Sequence, residues 1–320
     1  LLVNAAAQTW KVPAAELTTS NGFLEHKGSG KKAGYGELAS LAATLAVPEE
    51  VALKDPKDFT LIGTSKKNVD LEKIITGTPL FGIDHQVEGM KYAAIVHPPA
   101  FGMKLASFDA SPVKSLPGIL DVFSIQLFKD EYVRNFFDTA TFSELVAIVG
   151  NSTWEVLQAK KLLKATWEKA PESSFSMTGF GGPPSQVKVP SGLESTETHQ
   201  AKMAEYISKP GNVLRRDGDP EGAFKKAAKI IEKTYTAPFL AHNTMEPVNC
   251  FAQVTADKAE IYGPTQAPEF IIGTIASAIG LPKEKISIKL ARMGGGFGLR
   301  AYSHHLVEAA LQAWHSALPC

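Results

Sequence analysis

The sequence has little of what usually names a chemistry. Only two cysteines, Cys250 and Cys320, occur in 320 residues, too few for a disulfide framework or a thiolate zinc site. There is no excess of charge of either sign: 33 Lys and Arg stand against 33 Asp and Glu. That argues against a nucleic-acid binder, which shows a basic surplus. It also argues against a disordered chain, which combines high net charge with low hydrophobicity, whereas 44% of these residues are hydrophobic. No apolar run approaches the roughly 18 residues that a membrane-spanning helix needs. A nucleophile elbow of the form GxSxG is missing, as are the phosphate loop GxxxxGK[ST] and the dinucleotide fingerprint GxGxxG. The opening, LLVNAAAQTW, has neither a Met nor a basic leader. It reads as the middle of an amphipathic helix, the end QAWHSALPC is equally abrupt, and the expectation is a piece of a longer protein.

What is present is an interleaved pattern of strands and helices. Residues 1–12 and 35–45 have helical spacing, and between them Asn21-Gly22 marks a hairpin, both residues tolerating positive φ. Residues 49–77 are polar and broken. From 78 onward, strands are expected at 90–97, 119–125, 145–149 and 165–168, with a short helix and turn at 108–117 and a helix at 155–163. The run Leu145 to Val149 is continuously apolar, as suits a strand buried on both faces. Residues 173–213 lack sustained periodicity and read as a crossing segment. Beyond them come a helix capped by Asp219-Pro220, a strand at 230–238, a hairpin at 251–262, a helix at 270–280, a strand at 286–290 and a helix at 302–314. The fold class expected is α+β.

The sharpest motif is Arg292-Met293-Gly294-Gly295-Gly296-Phe297-Gly298, set between a strand and a helix. Three consecutive glycines cost backbone entropy, which a plain turn does not require. Exposed N–H groups ahead of a helix form an anion-binding concavity, so the loop is read as ligand-facing. A second cluster is PFLAHNTMEPVNC, residues 238–250, with His242, Asn243, Thr244, Glu246 and Asn249. His242 and Glu246 are four apart, but Pro247 argues for an extended segment, not a metal-binding helix face. The cluster is either a satisfied structural network or a ligand contact. A third is Tyr262-Gly263-Pro264-Thr265-Gln266: a plain turn, or one whose Gln both donates to and accepts from a ligand. His304 and His305 suit a helix face better than a metal site.

Together these segments resemble the large subunit of the molybdenum hydroxylases, the xanthine dehydrogenase and aldehyde oxidase family, and most of all its isoquinoline 1-oxidoreductase beta-subunit type. Residues 77–110 and 145–167 resemble the start and end of that family's α/β hammerhead domain, 216–250 and 262–266 resemble half of a molybdenum-binding domain, and MGGGFG at 293–298 matches the family's loop. The resemblance implies five segments: 1–50, the end of a molybdopterin-binding segment; 51–77, a linker; 78–172, the hammerhead; 173–213, a crossing linker; and 214–320, the first part of a molybdopterin-binding domain. It implies an enzyme that hydroxylates an N-heteroaromatic ring or oxidises an aldehyde with water as oxygen source. The cofactor would be molybdopterin with molybdenum, in its cytosine dinucleotide form. Electrons would leave through a small [2Fe–2S] partner subunit. Gln266, Gly294, Gly295, Gly296, Phe297, Gly298 and Arg300 would contact the cofactor. No side chain of this chain is expected to bind the metal directly.

Two departures stand out. Leu299 occupies a place where the subfamily has a basic residue. The family's general-base Glu lies beyond residue 320, Glu308 not being its counterpart. The expectation is therefore less than one molybdenum per chain. The alternative is a catalytically inactive fragment that keeps only a folding or partner-docking module. A nucleotide-binding oxidoreductase is the weaker third reading, because no parallel βαβ pattern is evident around the glycine loop.

Overall fold

The computed structural model describes residues 1–51, 53–138, 142–179, 181–192 and 195–320. The chain divides into two compact units, Leu1–Glu72 and Lys73–Cys320. In the first unit, helices α1 (Leu2–Trp10) and α2 (Tyr35–Ala42) accompany an antiparallel meander of β1 (Leu17–Ser20), β2 (Phe23–His26) and β3 (Lys31–Gly34). The hairpin turns at Asn21-Gly22, with φ of +48° and +84°, the twist-compatible geometry that favours these two residues. A small core of Ala5, Ala6, Leu24, Ala33, Leu38 and Ala42 closes the unit. β3 was not anticipated: Lys31-Lys32-Ala33-Gly34 places only Ala33 inward, too weak an alternation to read from sequence.

Helix α3 (Leu71–Ile75) leads into the second unit. Its elements are β4 (Tyr92–Val96), β5 (Met103–Asp109), α4 (Ser111–Lys114), β6 (Ile119–Gln126), β7 (Arg134–Asn135), β8 (Glu144–Gly150), α5 (Thr153–Leu162), β9 (Lys164–Lys169), β10 (Ser173–Thr178), β11 (Ser185–Val189), α6 (Thr196–Ile207), α7 (Pro220–Lys226), β12 (Phe251–Val254), β13 (Ala259–Gly263), α8 (Pro268–Ile279), β14 (Ile286–Leu290) and α9 (His304–Ser316). This is the α+β class expected. β8 lies between β4 and β6, antiparallel to both. Its continuous apolar run serves two cores at the period of a strand. Leu145 and Ala147 join the larger core with Ile261, Ile275, Leu306 and Ala310, while Val146 and Ile148 pack with Val113, Val122 and Val156.

Helix α5 starts where Ser152, in extended conformation, accepts the Glu155 N–H on its hydroxyl oxygen at 3.3 Å. Ser152→Ala removes that cap and is expected to cost about 1 kcal/mol, read as a lowered urea midpoint with an unchanged slope.

Three expectations are corrected, and one strand is new. Residues 103–109 form a strand that was not anticipated, while the helix and turn expected at 108–117 are present as α4 and the turn after it. A register shift between Leu105 and Ser107 against β9 breaks the alternation of Met103, Leu105 and Phe108. The 173–213 stretch is not structureless: it holds β10, β11 and α6, whose faces stay largely in solvent. The strand expected at 230–238 does not form. The segment is exposed and pairs with no other strand, and an alternating sequence without a ladder partner gains too little to become one. Lastly, β13 and β14 run parallel on either side of α8, so a parallel βαβ unit does exist. The glycine loop follows its second strand, whereas a dinucleotide fingerprint joins the first strand to the helix.

Candidate functional site

The parallel pair β13 and β14 places two turns at the carboxyl ends of adjacent strands, the position where open α/β sheets bind ligands. After β13 come Pro264, Thr265 and Gln266, and then the N-terminus of α8. After β14 comes the loop from Met293 to Gly298. The entrance of the loop is held on two sides: the Ala291 N–H donates to the Gly263 carbonyl at 3.2 Å, and the Arg292 N–H donates to the Leu80 carbonyl at 3.1 Å.

Within the loop, both ends are tied by side chains from elsewhere. The Gly294 N–H donates to Glu246 Oε2 at 2.8 Å, and the Gly294 carbonyl accepts the Glu246 N–H at 3.1 Å. At the far end the Gly298 N–H donates to Gln266 Oε1 at 3.0 Å. That bond fixes the Gln266 amide, since only its oxygen accepts, and leaves its NH2 as a donor. The N–H groups of Gly295, Gly296 and Phe297 have no partner among the described residues.

The loop needs its glycines. A Cβ on Gly294 would lie 2.4 Å from Glu246 Cβ. One on Gly296 would lie 2.6 Å from Met293 Sδ and 2.7 Å from Gln266 Oε1. Gly295 and Gly298 adopt φ of +105° and +96°, open to glycine without strain. Phe297 adopts φ of +51° and is 72% exposed. A bulky residue held in the left-handed region without burial is a point of backbone strain.

Arg300 is 0% exposed and sits under the loop. Its Nη1 donates to Glu246 Oε2 at 2.7 Å and its Nη2 to the Glu246 carbonyl at 2.8 Å. Its own carbonyl accepts the Gln266 N–H at 3.0 Å, Thr265 Oγ1 at 3.2 Å and Ser303 Oγ at 2.7 Å. Glu246 also accepts from Asn249 Nδ2 at 2.9 Å. Burial by itself would raise the Glu246 pKa, but the donors Asn249, Gly294 and Arg300 outweigh it and hold the carboxyl below its ordinary value.

The structure brings Gln266 against the loop at Gly296 and Gly298. The sequence reading missed the roles of Glu246 and of the Arg300 carbonyl. Fifty-four residues separate Glu246 from Arg300, and nothing local to either announces the pair. The cluster at 238–250 divides: Glu246 and Asn249 belong to the network, while His242 and Asn243 are exposed. The two histidines lie on α9. The His305 Nε2–H donates to the Pro264 carbonyl at 3.0 Å, and burial pushes its pKa down to about 4. Glu308, one turn on, bonds His97 Nε2 at 2.9 Å. Among the described residues no group of three or more His, Cys, Asp or Glu is placed to hold a metal ion, and no helix is long and apolar enough to cross a membrane.

The donors fit a ligand rich in acceptors. Three backbone N–H groups without a partner among the described residues and one amide NH2 lie in this loop and its anchor, with no free carboxylate among them. This suits an oxo- or thio-bearing, anionic group. Comparison with known proteins agrees: residues 206–319 match the profile of the molybdopterin cofactor-binding domain. Isoquinoline 1-oxidoreductase subunit beta of Brevundimonas diminuta is 27% identical, aligned over 97% of this chain and 41% of its own length.

The chain is similar to the molybdopterin-binding large subunits of molybdenum hydroxylases, and its residues 206–319 match their cofactor-binding domain.

Another relative is the nicotinate dehydrogenase large molybdopterin subunit of Eubacterium barkeri, 26% identical over 82% of this chain and 61% of its own length. The chain thus spans less than two thirds of these molybdenum hydroxylase relatives. Two solved structures share its fold. Quinoline 2-oxidoreductase from Pseudomonas putida 86 has a TM-score of 0.52 at 20% identity, covering 85% of this chain and 35% of that one. The aldehyde oxidoreductase from Desulfovibrio desulfuricans ATCC 27774 has a TM-score of 0.53 at 16% identity, covering 89% and 33%.

Proposed function

We propose that this chain supplies part of the molybdenum-cofactor site of an oxidoreductase that hydroxylates an N-heteroaromatic ring or oxidises an aldehyde, with water as the oxygen source. The observation that carries the reading is the row of N–H donors at Gly295, Gly296 and Phe297 that have no partner among the described residues, flanked by the Gln266 NH2, at the carboxyl ends of two parallel strands. When bound, the molybdopterin group supplies the two-electron redox chemistry. The chain's own residues hold and orient it. The loop amides and the Gln266 NH2 donate to its acceptor atoms, and being preorganised they need no rearrangement as charge develops there. Arg300, buried beneath the loop, acts through the loop and not by direct contact.

The finer parts of the proposal are a cytosine dinucleotide form of the cofactor and a small [2Fe–2S] subunit as electron acceptor. In the same proposal, residues 78–172 act as the hammerhead domain and 214–320 as part of the cofactor-binding domain. Support comes from the relatives, two of which are named as a beta subunit and a large subunit.

The test is the metal and nucleotide content of the chain purified from cells that make the cofactor. Molybdenum and acid-released cytidine monophosphate are expected to co-purify at less than one equivalent per chain. Gly296→Ala, whose Cβ would meet Met293 and Gln266, is expected to lower both at least tenfold. Equal content in the two proteins, or none in either, would overturn this reading of the loop.

A further inference from the structure

Arg300 joins the two anchors of the glycine loop. Its guanidinium grips the carboxylate and carbonyl of Glu246, which pins the loop at Gly294. Its carbonyl grips the backbone of Gln266, whose side chain pins the loop at Gly298. The distance and angle between the two pins are therefore set through one buried residue. Glu246 is itself 7% exposed and meets Gly294 twice, once through its side chain and once through its backbone. A buried carboxylate left alone behind the loop would repel an anionic ligand in front of it. Paired with Arg300, it presents no net charge.

We infer that Glu246 and Arg300 are positioning residues for the ligand-facing amides. The pair takes the Gly294 N–H out of ligand contact and fixes the direction in which Gly295, Gly296 and Phe297 donate. The inference rests on the reading of this loop as the cofactor loop. It concerns residues that touch the loop and not the ligand, so it is tested by a readout of loop order.

The double variant Glu246→Leu/Arg300→Met removes both charges at once and leaves no orphan charge buried. With selective 15N-glycine labelling of the whole chain, the wild type is expected to give one sharp amide signal each for Gly294, Gly295 and Gly296. In the double variant, Gly295 and Gly296 are expected to shift and broaden into several signals, although among the described residues no hydrogen bond links either to residue 246 or 300, while the thermal midpoint stays within a few degrees. Movement of Gly294 alone would overturn the inference, since the pair would then act only where it bonds.

Glu246→Gln is the second variant, in case the first does not fold. It keeps an oxygen for the Gly294 N–H and for Arg300. Single signals at Gly295 and Gly296 are expected to persist, and a multiplicity of signals there would overturn the inference. The molybdenum content of the unaltered chain separates the two readings. If the cofactor reading fails while the amide signals behave as expected, the pair still orders the loop, and only the identity of the ligand falls.

Discussion

Arg300→Met with Glu246 left in place is expected to destabilise the second unit by about 3–5 kcal/mol, the range for removing one member of a buried ion pair. The cost does not come from a lost attraction alone. The Glu246 carboxylate stays enclosed, with Asn249 and Gly294 as its remaining donors among the described residues, and must either remain charged in a poorly solvating site or take up a proton. Its pKa, now held low by the combined donors against the opposing effect of burial, is then expected to rise. The sign follows. Protonation of the folded variant relieves the enclosed charge, so its deficit relative to the wild type shrinks as the pH falls. Urea denaturation of both proteins at pH 7 and pH 5, compared as a difference, checks this. A deficit below 1 kcal/mol at pH 7 would mean that water reaches the carboxylate once Arg300 is shortened.

Acidification is expected to cost the wild type about 3 kcal/mol between pH 7 and pH 4 through His305. Its folded pKa is about 4 against 6.5 for the free side chain, and each unit of difference is worth about 1.36 kcal/mol. Above pH 6.5 the imidazole is neutral in both states and contributes nothing. Between 6.5 and about 4 the unfolded chain binds a proton that the folded chain refuses, so stability falls as pH falls. Burial is the dominant cause; the bond to the Pro264 carbonyl opposes it. His304, also lowered by burial, adds in the same direction. Glu246, held low by its donors, adds to the loss at the acid end. Asp138, raised by burial, works the other way. His305→Gln can still donate to the Pro264 carbonyl but does not titrate, so its stability should vary less over this window. Equal slopes in the two proteins would assign the acid sensitivity to other groups.

The elements that could be read from sequence are those whose signals are local. Asn21-Gly22 turns a hairpin by its own φ preferences, Asp219 caps the helix that follows it, and Leu145 to Val149 has no polar face to expose. What could not be read depends on partners far along the chain. β5 hides behind a bulge, the 230–238 segment alternates but finds no ladder, and the parallel pairing of β13 with β14 is a matter of topology. The candidate site divides in the same way. Three consecutive glycines announce a loop that approaches something closely. That the loop is pinned by Glu246 and Gln266, with Arg300 bracing both, follows only from the arrangement of three distant segments.

That arrangement bears on transplantation. The hexapeptide from Met293 to Gly298 has no anchors of its own, because both of its ties are lent by residues outside it. Grafted into another protein it would be a floppy glycine tract. The smallest portable unit is the hexapeptide together with Glu246, Gln266 and Arg300. Any search or design that scores the glycine string without asking for those three companions will gather loops that merely share its spelling.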